Sequence, residues 1–554
     1  MAWYDEAVFY HIYPLGLTGA PKQNGYGEPV HRLRTLFPWI EHIKSIGCSA
    51  VYIGPLFESV GHGYETTDYR KLDSRLGDNA DLTEFVKRCH ESGIRVILDG
   101  VFNHTGRDFF AFRDIRENRE SSRYRDWYQN VNFWGNNEYN DGFSYDNWGG
   151  YNLLAKLNLR NPEVRDYLLD TVRFWVSEFD IDGIRLDAAD VLDFDFMKSL
   201  RNLANEVKPE FWLMGEVIHG EYSRWVNEGT LHSVTNYHLH KALYSGHNDH
   251  NYFEIAHTVK RLYSMGGNDA NGFKLYNFVD NHDVERIYTK LMNKADFLPV
   301  HILLYTLPGI PSIYYGSEFG IEGKKERYSD DSLRPAINLD EMNREDFLSR
   351  KKIISALGSL RANLNEVPQL SYGDYNELSL TTGQYCFSRT LGDSAVYVMV
   401  NNADGSANIT AGGCRDGKYR GALSGAVTEV AGGVLSAEIP AHSGEIWVPA
   451  DYDTAKSRLD IEKINAEVRL RAEKQAEQKK QAEIKAQQAA ASGAGGITAA
   501  VSGRTDYENM SVEELQAAIL AKMAKNGPVT DYMKKTVFDN THKPSLENWV
   551  KSFR

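Results

Sequence analysis

The chain has 554 residues, 42% hydrophobic and 25% charged, enough to bury a large core and to build more than one domain. Its formal net charge of -14 disfavours nucleic acid and anionic membranes as partners. Cys48, Cys89, Cys386 and Cys414 lie far apart in no metal-ligand spacing, which points to free thiols in a reducing compartment. The first residues lack the basic and apolar runs of a signal peptide, and no apolar stretch is long enough to span a bilayer, so a cytoplasmic protein is expected.

Val8 to Tyr13 reads as an apolar, aromatic strand. Trp39, Ile40, Ile43 and Ile46 share a helix face, which Gly47 ends. Cys48 to Ile53 is a second strand. Leu82, Phe85, Val86 and Cys89 mark another helix, stopped by Gly93, and Ile94 to Val101 is a third strand running into Asn103-His104-Thr105-Gly106. From His104 to about Asn158 the expected helix gives way to a long segment rich in Tyr, Trp, Phe, Asn and Gly. Long insertions tend to be functional. Sugar rings present C–H faces that stack on aromatic rings, while Asn and Asp bond hydroxyls. About half of these aromatics are expected to build the insertion's own core instead.

Asn161-Pro162 then supplies an N-cap and a proline at the first helical position. Val164, Tyr167, Leu168, Val172, Trp175, Val176 and Phe179 follow at helical spacing. Asp182 to Asp190 reads as a short buried strand ending in a carboxylate. Arg185 and Asp187, two apart, leave it on the same face. Phe211 to Glu216, Ser233 to Asn236, Leu275 to Asp280 and Gly309 to Gly316 complete eight strands. Helical patterns between strands force parallel pairing, and eight such strands suggest a closed barrel.

After about residue 370, runs such as Ala395 to Val400 alternate with Gly, Asp and Asn turns, the texture of an antiparallel β domain. The expected fold class is therefore α/β: a (β/α)8 TIM barrel (1–104 and 159–370) with an insertion after strand 3 (105–158), and a C-terminal antiparallel β-sandwich (371–450). A polar helix (451–491), a flexible linker (492–510) and a small helical tail (511–554) follow. Ser511-Val512-Glu513-Glu514 is a capping box opening the tail. The tail reads either as a module docking another protein or second subunit, or as a disordered segment.

Four strand ends carry ionisable residues in order: Asp99 with Asn103 and His104; Arg185 with Asp187; Glu216; and His282 with Asp283. Any one of these is more often structural than catalytic. Gathered on one rim they would repel one another, and polar crowding of that kind is a functional signature. Breaking a glycosidic bond needs an acid for the leaving oxygen and a carboxylate to take the sugar or assist water. An arginine beside the nucleophile keeps it ionised.

Asp99-Gly100-Val101-Phe102-Asn103-His104, Gly183-Ile184-Arg185-Leu186-Asp187, Gly215-Glu216-Val217 and Phe278-Val279-Asp280-Asn281-His282-Asp283 resemble the four signature regions of the α-amylase superfamily, glycoside hydrolase family 13. Gly63-Tyr64-Glu65-Thr66-Thr67-Asp68-Tyr69 looks like its tyrosine loop, and the resemblance covers about residues 1 to 450. It implies a retaining mechanism on α-glucosidic bonds in an oligosaccharide or α-glucan. Asp187 would be the nucleophile, Glu216 the general acid/base and Asp283 the transition-state stabiliser. Arg185 would orient Asp187, His104 and His282 would bind sugar hydroxyls, Tyr64 would stack under the ring, and Asp99 would support the rim.

Ala155-Lys156-Leu157-Asn158, Ser233-Val234-Thr235-Asn236-Tyr237 and His282-Asp283-Val284-Glu285-Arg286-Ile287 look like the cyclomaltodextrinase, neopullulanase and maltogenic amylase branch. The chain departs from it by starting its barrel near Val8, without an N-terminal β domain, so dimerisation through such a domain is not implied. Gly61-His62 lacks the acidic residue of many exo-acting relatives. Asn103 matches a calcium ligand of many amylases, while Asp190 departs from the lysine-histidine ending often seen there. No cofactor is required by the chemistry, and calcium stays open with Asn103 as its candidate ligand. A transglycosylase or isomerase would use the same residues; a non-catalytic relative would be expected to have lost one of the three carboxylates.

Overall fold

The computed structural model describes residues 2–266, 272–327, 329–471, parts of 473–484, 506–525 and 531–553. Residues 1–465 form one compact unit and 466–554 a second.

The first unit is built on eight parallel strands: β1 (Phe9–Ile12), β2 (Ala50–Ile53), β3 (Arg95–Gly100), β4 (Gly183–Leu186), β5 (Trp212–Gly215), β6 (Ser233–Val234), β7 (Tyr276–Phe278) and β8 (Ile310–Tyr314). They pair in the order β6-β5-β4-β3-β2-β1-β8-β7. A parallel bridge between Thr235 and Tyr276 joins the last two edges and closes the barrel. The two-residue period of a strand sorts its side chains. Phe9, Ala50, Tyr52, Ile97, Trp212, Met214, Tyr276, Phe278 and Ile310 fill the interior. Tyr10, Ile12, Val51, Ile53, Val96, Leu98, Ile184 and Leu186 belong to the larger core that includes the surrounding helices.

The helix Pro162–Phe179 shows how sequence sets these elements. Asn161 caps it by accepting from the Glu163 N–H, and Asp180, at φ 58°, ends it in the left-handed region. Its buried stripe is Val164, Leu168, Val172, Trp175 and Phe179. Trp175 stacks on Phe57 at 4.4 Å and donates its indole N–H to the Tyr69 carbonyl at 2.7 Å. Truncating such a buried tryptophan to alanine costs about 3–5 kcal/mol. The helix is thereby anchored to the chain around Phe57 and Tyr69, and it leads directly into β4.

The segment after β3 differs from expectation in one respect: it contains a helix, Phe110–Asn118. Ala111, Phe112 and Ile115 are its buried face, a short stripe that the aromatic richness of the surroundings masks. The insertion also forms a three-stranded antiparallel sheet, with Tyr151–Lys156 between His104–Thr105 and Asn147–Trp148. Phe112, Tyr128, Phe143 and Tyr145 pack into its core.

Eight strands from Asp374 to Pro449 form the C-terminal β-sandwich, a six-stranded sheet and a two-stranded one. Along Ser394–Asn401, Ala395, Tyr397 and Met399 face the sandwich core, while Val396, Val398 and Val400 join the large core of the barrel. The chain is helical over 461–471. In the second unit, helices Val512–Lys525, Asp531–Asp539 and Lys543–Ser552 share a core of Met510, Leu515, Ile519, Val537, Leu546 and Val550. The capping box is formed: Ser511 N–H donates to Glu514 at 2.8 Å, and Glu514 N–H to Ser511 Oγ at 3.1 Å. The glycine-rich stretch 492–496 lies outside the described residues. Among the described residues no helix is long and apolar enough to cross a membrane.

Candidate active site

The C-terminal ends of β3, β4 and β5 and the loop after β7 bring the predicted residues onto one rim. Parallel register sets Asp99 beside Arg185. The fully buried Arg185 is the hub. Its Nη1 donates to Asp99 Oδ1 and to Asp187 Oδ1, each at 2.8 Å, and its Nη2 lies 2.9 Å from Glu216 Oε2. One planar fork thus holds both acids. Asp99 is fixed from behind by Tyr52 OH at 2.8 Å and Tyr64 OH at 3.2 Å.

The strand expected to run through Asp190 stops at Leu186. Asp187 N–H still reaches the Gly100 carbonyl at 3.1 Å, and then Ala188 turns into the left-handed region at φ 45°. This backbone is uncommon for a residue with a Cβ and tends to cluster at active sites. Here it aims the Ala188 N–H at Glu216 Oε2, 3.1 Å away. Gly215, just before Glu216, permits the close approach: a Cβ there would lie 2.5 Å from Leu231 and 2.8 Å from Ala189.

Asp283 stands nearer the mouth, its side chain 34% exposed. Arg334 Nη2 holds its Oδ1 at 2.8 Å, and His282 Nε2 lies 3.0 Å from its Oδ2. His282 also bonds the Tyr64 hydroxyl and lies near-parallel to the rings of Tyr64 and Tyr13, at 5.7 and 5.8 Å. Its Nδ1 is buried without a protein partner. His104 closes the other side, where Asn103 Nδ2 faces its Nδ1 at 3.2 Å.

Electrostatics separates these groups. Burial raises Glu216 above the usual carboxylate range, Arg185 opposes this, and Asp283 adds to it. Burial pushes Asp187 up as well, with Arg185 pulling it back and Glu216 adding to the rise. Both acids are thus raised on one shared guanidinium, which contacts Asp187 at 2.8 Å and Glu216 at 2.9 Å. Burial lowers His104 to about 3 and holds His282 well below the usual range, so both rings are neutral near pH 7.

Sequence reasoning missed several partners. Arg334 lies in an irregular stretch with no periodic signal, yet it bonds Asp283 and the His282 carbonyl. Tyr237, whose hydroxyl lies 3.3 Å from Glu216 Oε1, and Asn281, which donates to that hydroxyl at 3.2 Å, stood in quoted motifs without a role. Tyr52 and His11, stacked at 4.2 Å beneath the site, were polar-tipped aromatics at barrel strands, a signal that was available.

The calcium candidate Asn103 lines a cavity of mixed charge. The cavity beside Asn103 is lined by Lys156, Arg160 and Arg224 as well as Asp190 and Asp193, and Asp193 already accepts from Arg160 at 3.0 Å. Calcium takes about six to eight oxygens, and Gln129 and Asn158 add side-chain oxygens to this mixed-charge lining. Among the described residues one other group could present metal ligands, His31, Asp78 and Asp81. Asp78 and Asp81 cap the helix Asn79–Glu91, and Asp81 also pairs with Arg34 and His31.

Comparison with known proteins agrees with this geometry. A family model described as the catalytic domain of alpha-amylase matches residues 24–360. The cyclomaltodextrinase of Thermoanaerobacter pseudethanolicus is 31% identical over 425 residues, 72% of this chain and 71% of that protein. The intracellular maltogenic amylase of Bacillus subtilis is 30% identical over 423 residues, 73% of this chain and 69% of that protein. The native structure of the Nostoc punctiforme debranching enzyme matches with a TM-score of 0.68 at 26% identity, covering 80% of this chain and 98% of that one. With more than half of its length matched by the family's catalytic domain, this chain belongs to the α-amylase family and is a glycosidase.

Proposed function

We propose that the protein hydrolyses α-glucosidic bonds, mainly α-1,4, in maltodextrins, cyclodextrins or related α-glucans, with retention at the anomeric carbon. Asp187 attacks that carbon while Glu216 gives its proton to the leaving oxygen. Water then cleaves the glycosyl ester as Glu216 takes a proton back. Asp283, held by Arg334, bonds hydroxyls of the distorted sugar. His282 and His104 bind ring hydroxyls, and Tyr64 stacks beneath the ring. The observation that carries this reading is the single Arg185 fork spanning Asp187 and Glu216. A retaining pair needs its carboxyls about 5–5.5 Å apart and an inverting pair about 6.5–9.5 Å, and two acids sharing one guanidinium are near neighbours.

The test is chromatography of products from a maltodextrin, a cyclodextrin and pullulan, with Asp187→Asn as the blank. Shorter α-configured products support the reading. Longer or rearranged saccharides would replace hydrolase by transglycosylase or isomerase. No step uses a metal, so chelation is expected to leave the rate unchanged. The four thiols, all free and buried, and the intracellular Bacillus subtilis relative favour a cytoplasmic location. The helices beyond residue 506 carry none of the catalytic groups, and deleting the second compact unit, 466–554, is expected to leave product patterns intact.

A further inference from the structure

The sandwich meets the barrel at a histidine with a choice of partners. His442 immediately precedes the strand Ser443–Pro449 and holds a left-handed backbone at φ 48°. Its ring is buried. Nδ1 lies 2.8 Å from Oδ1 of Asp296, a buried residue that opens the barrel helix Phe297–Thr306. Nε2 lies 3.0 Å from Asp404 Oδ1 on the sandwich and 3.0 Å from Asn293 Nδ2 on the barrel. The Asn293 amide is fixed in that sense, since its oxygen accepts from the Ala295 N–H at 3.0 Å. Asp404 is placed as firmly. Asn401 Nδ2 donates to the Gly405 carbonyl at 2.9 Å and to the Ile439 and Pro440 carbonyls at 3.1 Å, which ties the Asp404 loop to the approach to His442.

We propose that His442 is a proton-operated clasp at the junction of barrel and sandwich, holding them more tightly as pH falls. An ionised carboxylate only accepts and an amide N–H only donates. Nδ1 therefore keeps its hydrogen for Asp296 in either state of the ring. With a second proton aboard, Nε2–H donates to Asp404, and the Asp296 bond becomes a charge-assisted pair across the junction, roughly twice as strong as a neutral one. Without that proton, bare Nε2 accepts from Asn293, and Asp404 is left to solvent. The Asp296 bond raises the ring's pKa, burial opposes it, and Asp404 adds to the rise. Two more titratable groups face the ring. His247 bonds the Leu243 carbonyl at 2.6 Å and is lowered by burial. His250 bonds the Asn402 carbonyl at 2.8 Å, its ring 6.3 Å from that of His442. Because the folded pKa is raised, the clasp contributes fully below the unfolded value of about 6.5 and is lost as pH rises through the folded value.

The experiment follows the His442 ring by NMR in the full chain between about pH 5 and pH 9, its resonance identified by loss in His442→Gln. The parent ring is expected to titrate above about 6.5. Asp404→Asn should lower that midpoint by about 1 pH unit. Asn293→Ala removes the donor that serves the neutral ring, so it should raise the midpoint by about 0.5 unit. In melting curves, the gap between parent and His442→Gln should be about 1–2 °C wider near about pH 6 than near about pH 9. Shifts of opposite sign in the two variants, with a gap that narrows as pH rises, support the clasp. A parent midpoint at or below about 6.5, a midpoint that either substitution leaves unmoved, shifts of the same sign, or a melting gap that does not narrow would each overturn it.

Discussion

Strand β4 has an aspartate at each end, and the two live in opposite worlds. Asp182, at the entry, accepts from His90 at 2.7 Å, Arg95 at 3.0 Å and the Val96 N–H at 2.9 Å, and Lys208 lies 3.0 Å away. Although burial alone would raise it, these partners hold its carboxyl at about 2. Asp187, at the exit, shares a single arginine with Asp99 and Glu216, and burial pushes its carboxyl well above the usual range. At the entry two cations, Arg95 and Lys208, serve Asp182; at the exit one cation, Arg185, serves Asp99, Asp187 and Glu216. A saturated carboxylate stabilises a fold; an undersupplied one is costly to keep and is retained for chemistry.

Substitutions at the two ends should separate cleanly. Asp187→Asn is expected to lower kcat by about 10⁴-fold or more, while the melting temperature holds or rises, because a carboxyl with a raised folded pKa destabilises the native state above its unfolded value. A collapse of melting temperature along with activity would place it with Asp182 and dissolve the contrast. Asp182→Asn should do the reverse, leaving kcat intact and removing about 3 kcal/mol of stability, the scale for breaking a buried ion pair. Its pKa is depressed, so that stability is present above the unfolded value of about 3.9 and is lost as pH falls toward the folded value. Melting curves of parent and variant should therefore converge between about pH 4 and pH 2. The smallest effect sharpens the exit alone. Asp283 adds to the raised pKa of Glu216, so Asp283→Asn should shift the alkaline limb of the residual kcat/KM profile to lower pH. An unmoved limb would detach Asp283 from the proton on Glu216.

The exit carboxylates Asp99, Asp187 and Glu216 were readable in the sequence because each ends or directly follows a strand and strand order gathers those ends, whereas Asp283, in the loop after β7, was found through its motif. The amphipathic helix 162–179 was readable through a period tied to burial. Arg334 was not. It reaches Asp283 from 51 positions away, through a stretch whose conformation is set by packing rather than by repeat. Ala188 was equally silent, since nothing in its identity announces a left-handed backbone. The helix Phe110–Asn118 was hidden among aromatics that also suit loops and strands. Periodicity reports the scaffold and the groups mounted on it, and aperiodic connections report themselves only in three dimensions.

Arg185, which touches both acids at once, has a consequence for the energetics of turnover. In the proposed mechanism the negative charge sits on Asp187 before attack and the proton on Glu216. Once the sugar is esterified, Asp187 is neutral and Glu216 carries the charge. The total within the cleft is the same in both states; the charge has only moved from one prong of a stationary cation to the other. Because the cation stays in place and the net charge beside it does not change, the exchange demands little reorganisation of the groups around it.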